Sequence, residues 1–139
     1  MQQVIGIRAD ANGEVGMGHI MRCITIAKQI KELGHETVFF TADSYANDLL
    51  KRAGMEFICL DSPWNRMETE TDRLLEELGK VGCQKLLVDS YQATRAYFEK
   101  IRGIGKLIYM DDCFEDVYPV FSALPKISAI CSISFLPYR

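Results

Sequence analysis

Between residues 8 and 23 the chain gathers side chains suited to binding an anion and moving a proton: Arg-Ala-Asp-Ala-Asn-Gly-Glu-Val-Gly-Met-Gly-His-Ile-Met-Arg-Cys. Glycines at 16 and 18 let a ligand approach the backbone closely. Where such a turn opens a helix, the first N–H groups are unpaired and carry partial positive charge, which suits an anion. His19 follows at once, and imidazole is the side chain that readily exchanges protons near neutral pH. A neutral imidazole beside an anion cradle is placed to act as a general base. The other histidine, His35, follows Gly34 at a helix-to-strand turn and reads as structural.

That arrangement needs a strand before the loop and a helix after it. Val4-Ile5-Gly6-Ile7 lies in an apolar run that predicts a strand over residues 3–8. Residues 18–33 carry Ile20, Cys23, Ile24, Ala27, Ile30 and Leu33 at helical spacing, with Gly34 as a stop. Thr37-Val38-Phe39-Phe40-Thr41 predicts a second strand. Ser44 is placed to cap a short helix over 45–53, ended by Gly54. A third strand over 56–60 leads through a loop with Pro63 and Trp64 into a charged helix over 67–81, with Leu74, Leu75 and Leu78 as its core positions. The remaining charges of 66–80 read as a solvated face. Strands over 85–89 and 106–110 bracket a helix over 94–102, and one more short strand fits 128–133.

Strands alternating with helices predict an α/β fold: a Rossmann-like, doubly wound parallel sheet, with the first strand in its interior. All strand C-terminal ends then share one edge, where such sheets bind ligands. Arg8 and Asp10, Asp43, Asp61, Asp89 with Tyr91, and Asp111 with Asp112 are expected to converge there around His19.

Several familiar motifs are excluded. The third glycine of a dinucleotide fingerprint would fall at position 21, which is Met21, so Asp43 loses its support as a ribose ligand. No Gly-Lys-Ser/Thr follows the glycines, so the loop is not a Walker A loop. The Asp111-Asp112 pair follows the fifth strand, whereas a receiver domain carries its acidic pair after the first. The chain has 139 residues and a net charge of −3, without a basic stripe, which speaks against nucleic acid as a partner. It shows no signal-peptide layout at its start and no apolar run long enough to span a bilayer. Five widely spaced cysteines (Cys23, Cys59, Cys83, Cys113 and Cys131) without a C-x-x-C suit reduced thiols in a cytoplasm.

With Arg8-Ala-Asp10, Gly16-x-Gly18-His19, Met21-Arg22-Cys23, Val88-Asp89-Ser90-Tyr91 and Met110-Asp111-Asp112 in view, residues 1–116 resemble the N-terminal half of the PseG-type UDP-sugar hydrolases, which overlap with the SpsG proteins of spore coat polysaccharide biosynthesis. The resemblance implies a GT-B fold, shared with glycosyltransferases such as MurG. It implies release of UDP from UDP-2,4-diacetamido-2,4,6-trideoxy-β-L-altropyranose, a step of pseudaminic acid synthesis, without metal or other cofactor. It makes His19 the base that activates water. Gly16 and Gly18 become the loop facing the diphosphate, and Arg8, Asp10, Asp89 and Tyr91 line the cleft. Met17, Arg22 and Asp111 complete the expected substrate contacts.

A GT-B enzyme holds its nucleotide mainly in a second, C-terminal domain, for which 139 residues leave no room. Residues 117–139 also depart from the family pattern, as in a fragment, a frame-altered product or a natural single domain. The chain alone is therefore expected to hydrolyse UDP-sugars poorly or not at all. Self-association through Phe121, Leu124, Ile127 and Phe135 is expected if the uncovered surface is apolar. Two other readings stand beside the hydrolase: a non-catalytic binding domain, and the N-domain of a glycosyltransferase of polysaccharide biosynthesis.

Overall fold

Alternating side chains along the strands divide the apolar residues into two cores. A computed structural model describes residues 2–111 and 129–132, with Asp111 and residues 129–132 described by backbone alone. The order is β1 (Val4–Ala9), α1 (Gly18–Glu32), β2 (Glu36–Thr41), α2 (Asn47–Arg52), β3 (Glu56–Cys59), a 3-10 turn (Met67–Glu70) running into α3 (Thr71–Lys80), β4 (Lys85–Asp89), α4 (Arg95–Ile101), β5 (Lys106–Asp111) and β6 (Ala129–Ser132). Six strands form one sheet in the order β3-β2-β1-β4-β5-β6, all pairs parallel. β1 is interior, as its apolar run predicts.

On one face Val38, Phe40, Leu86, Val88, Leu107 and Tyr109 pack with Leu74 and Leu78 of α3 and Tyr97, Phe98 and Ile101 of α4. On the other, Ile7, Ala9, Phe39, Leu87 and Met110 pack with Ile20, Cys23, Ile24 and Ala27 of α1 and Leu50 of α2. Period-two alternation sends neighbours such as Phe39 and Phe40 to opposite faces. Gly6 is needed where β1 passes these layers. A Cβ there would meet Cys83 Sγ and Leu86 Cδ1 at 3.0 Å.

Two local expectations are corrected. Ser44 does not cap α2: Ala46 stands at the N-cap without a side-chain bond, and Ser44 contributes only its carbonyl, which accepts from Asn47 N at 3.1 Å. The helix expected over 67–81 begins instead as a 3-10 turn, and Glu70 in it is buried rather than solvated. Its spacing from Leu74 and Leu78 places it on the packed side of that segment. The expected self-association residues Phe121, Leu124, Ile127 and Phe135 lie outside the described residues. Among the described residues no helix is long and apolar enough to cross a membrane.

Candidate functional site

The register of the central strands assembles the site. Ala9 of β1 pairs with Asp89 of β4, so both lie at the carboxyl edge and face α1. Ala9 is small, which leaves room beside it for the Asp89 carboxylate. The first turns of α1 present His19, Arg22 and Cys23, spaced i, i+3, i+4 and hence on one side of the helix. All three reach Asp89. His19 Nδ1 lies 2.6 Å from Oδ1, the Arg22 guanidinium donates to both carboxylate oxygens, and Cys23 Sγ donates to Oδ2 at 3.4 Å.

Burial alone would push the Asp89 carboxyl up, but the bonds from Arg22 and His19 prevail and hold it below the usual carboxylate range. The Cys23 thiol is pushed well up by burial and by Asp89, so it is a packed donor rather than a nucleophile. With an ionised carboxylate at Nδ1, the neutral ring carries its proton there and leaves the Nε2 lone pair free. Nε2 has no hydrogen-bond partner among the described residues. The ring of Tyr91 stands edge-on to that of His19, with centroids 4.6 Å apart. Tyr91 is 57% exposed and forms the outer wall of the site.

The loop between β1 and α1 is closed on itself. Gly16 N donates to Asn12 O at 2.9 Å, and Asn12 Oδ1 accepts from Glu14 N and Val15 N at 2.8 and 2.9 Å. Gly16 has φ +74°, which a side chain would strain. Met17 stands at the N-cap of α1 without a capping oxygen, and the first turn holds no acidic residue. The amide groups of that turn are thus left to a ligand or solvent. A Cβ at Gly16 or Gly18 would meet nothing within 4 Å, so the loop surface is open beside both.

Arg8 is not a cleft residue, contrary to the sequence expectation. It is 0% exposed and lies between Phe40 and Val88 on the α3–α4 face. Glu70 accepts from its Nε and Nη2 at 2.6 Å each. Asp10 Oδ1 lies 2.9 Å from Nη1, and Phe40 O accepts from the same nitrogen at 3.4 Å. Tyr97 Oη donates to Glu70 Oε2 at 3.1 Å. Burial works against the Arg8 charge, yet Glu70 and Asp10 raise its pKa well above the ordinary value. Burial and Glu70 likewise push the Tyr97 phenol well up. With its donors committed inside the fold, Arg8 is a structural cation.

The structure therefore brings His19, Arg22, Asp89 and Tyr91 together beside Gly16, Met17 and Gly18. Asp10 sits at the same edge but on the Arg8 side. Asp111 ends β5, paired with Ser132; its side chain and Asp112 lie outside the described residues. His35 Nδ1 accepts from Gln3 N at 3.0 Å, the structural role its position suggests. Asp43 Oδ1 accepts from Tyr45 N at 3.0 Å in a local turn. Sequence reasoning missed Glu70 and Tyr97. Among the described residues no group of three or more His, Cys, Asp or Glu is placed to hold a metal ion.

No family model matches the chain, and no curated protein matches it. Among solved structures it is similar to MurG of Acinetobacter baumannii, with TM-score 0.65 and 13% identity over 95% of this chain and 41% of that one. It is also similar to a glycosyltransferase of Rickettsia africae, with TM-score 0.55 and 15% identity over 94% of this chain and 43% of that one. The chain thus spans less than half the length of either protein. The likeness is one of fold: a Rossmann-like, doubly wound parallel sheet of the GT-B kind.

Proposed function

We propose that this chain is the N-terminal lobe of a GT-B glycosyltransferase that uses a nucleotide-diphosphate sugar, with His19 as its general base. One observation carries the reading: the Asp89 carboxylate, 2.6 Å from His19 Nδ1 and clamped by Arg22, leaves Nε2 as a lone-pair base beside an open glycine loop. His19 Nε2 takes the proton of an acceptor hydroxyl as its oxygen bonds to the anomeric carbon. The bond from that carbon to the diphosphate oxygen breaks, and its electron pair leaves with the nucleotide diphosphate. Asp89 faces the imidazolium that forms and stabilises it, as the acid does in serine-protease triads. The uncapped first turn of α1 faces the charge developing on the leaving group.

The resemblance of Arg8-Ala-Asp10, Gly16-x-Gly18-His19 and Arg22-Cys23 to PseG-type hydrolases favours a second reading. There the attacking oxygen is water, and UDP leaves from UDP-2,4-diacetamido-2,4,6-trideoxy-β-L-altropyranose. The base and its carboxylate do the same work in both. Either reaction calls for a second, nucleotide-binding lobe, a need that the chain's 41% and 43% spans of its structural neighbours support.

The test is UDP release from UDP-sugars, with and without a sugar acceptor, by the chain alone and joined to a nucleotide-binding lobe. Acceptor-dependent release marks a transferase, and release in water alone marks a hydrolase. His19→Asn is expected to lower either by about 10²-fold or more. Unimpaired turnover in that variant refutes the mechanism. Binding without any turnover leaves a non-catalytic binding domain.

A further inference from the structure

Asp89 is an acceptor with its sites filled. Its side chain is 0% exposed, and its two oxygens take four donors. Oδ2 accepts from Arg22 Nε and Cys23 Sγ, and Oδ1 is shared by Arg22 Nη2 and His19 Nδ1. An ionised carboxylate offers about four acceptor sites. The shared oxygen brings Arg22 Nη2 to 3.5 Å from His19 Nδ1. With both nitrogens donating to Oδ1, that approach sets a cation beside the ring and is not a bond between the two.

The arrangement therefore differs from a carboxylate and an imidazole alone. In such a pair the whole charge of the carboxylate is turned on the imidazolium. Here the guanidinium answers that charge across both oxygens, in the fork that Arg makes and Lys cannot. Burial alone would protonate Asp89, and the bonds from Arg22 and His19 keep it ionised. The titratable and charged groups at the ring, among the described residues, are Asp89 on β4, Arg22 and Cys23 on α1, and Tyr91 after β4. Arg22 is the cation of that set.

We propose that Arg22 is the positioning residue of the base and acts on His19 rather than on the ligand: it fills Asp89 and fixes a positive charge beside the ring, so that a proton taken at Nε2 stays on the imidazole and is readily released from it. Asp89 still faces the imidazolium, but it has no lone pair left to take the Nδ1 proton. The neighbouring cation disfavours the charged ring, which returns the base to its neutral form after each transfer. The part this plays in turnover rests on the function proposed above.

The His19 ring signals in NMR, followed against pH, read the arrangement without ligand or turnover. Arg22→Gln removes the charge, and its His19 midpoint is expected about 1–2 pH units above that of the wild type. Arg22→Lys keeps the charge and is expected within about half a pH unit of the wild type. An unmoved or lowered midpoint in Arg22→Gln, or an equal rise in Arg22→Lys, overturns the proposal. The wild type gives a second readout that depends on no variant folding. The 13C signal of the Asp89 carboxyl should remain that of a carboxylate through the His19 transition. A step of the size of protonation there would place the proton on Asp89 and overturn the proposal. A raised midpoint in Arg22→Gln without UDP release by the two-lobe protein keeps the arrangement and removes the proposed function. Release with an unmoved midpoint does the reverse.

Discussion

Replacing Glu70 by Gln should destabilise this fold more than most single substitutions, although the two side chains differ by one atom. Glu70 and Arg8 are both 0% exposed at their side chains, and Glu70 takes two bonds from the guanidinium and one from Tyr97 Oη. The amide of Gln keeps one acceptor and turns the other into a donor. That donor faces either a guanidinium N–H or, with the amide flipped, both the guanidinium and the Tyr97 hydroxyl. Breaking a buried pair costs about 3–5 kcal/mol. Asp10 remains 2.9 Å from Arg8 Nη1 as a residual countercharge, so the low end, about 3 kcal/mol, is expected. With a urea slope of about 1–3 kcal/mol per molar, the unfolding midpoint should fall by about 1–3 M. Arg8→Met with Glu70→Leu and Tyr97→Phe removes all three polar ends together and should recover most of the loss. Urea unfolding followed by circular dichroism measures all variants. A Glu70→Gln midpoint within about 0.3 M of wild type, or independent effects at Arg8 and Glu70 in a double-mutant cycle, would show that the network is not coupled.

Three further outcomes are expected. Asp89→Asn should shift the His19 proton from Nδ1 to Nε2, visible in the ring 15N shifts, and lower turnover of the two-lobe protein by about 10²–10⁴-fold; an unchanged ring tautomer would contradict the assignment. Gly16→Ala places a Cβ at φ +74° in open space, so its cost is conformational alone, about 1–2 kcal/mol by urea unfolding; a neutral effect would mean that the loop adopts another backbone. The folded-state pKa of Asp89 is depressed below 3.8, so its stabilisation is complete above that value and is lost as pH falls through the lower, folded pKa. Midpoints measured from about pH 5 down to about pH 2 should therefore fall less steeply in Asp89→Asn than in wild type.

The fold was legible because its signals are local. Apolar runs of strand length, helical spacing in 18–33 and glycines at helix ends each announce themselves within a dozen residues. Even the short β6 showed within an atypical stretch, as a small apolar run between prolines. His19 and Asp89 were legible as helix-start and strand-end residues respectively. Their contact was not, since it joins positions 70 apart through the Ala9–Asp89 register. Arg8 was misread because a charged residue at a strand end resembles a ligand contact until its partner is known. That partner, Glu70, was hidden by a charge-rich neighbourhood. Its spacing from Leu74 and Leu78 was the available signal, and the surrounding Glu68, Asp72 and Glu76 masked it.

The two buried ion networks make sense together. Strand alternation sends Arg8 to the α3–α4 face, while Ala9 and its register partner Asp89 face α1. Arg8, Asp10 and Glu70 therefore fasten the start of the β1–α1 loop to the sheet from one side. Asp89, His19 and Arg22 fasten its far end to β4 from the other. Between these anchors Asn12 and Gly16 close the loop by backbone and side-chain bonds. A loop held this way has little freedom left to lose when a ligand arrives. Weakening the Arg8–Glu70 pair should therefore loosen the loop without touching His19. The Arg8–Glu70 network would then affect the site at a distance from His19, with Asp10 as the link.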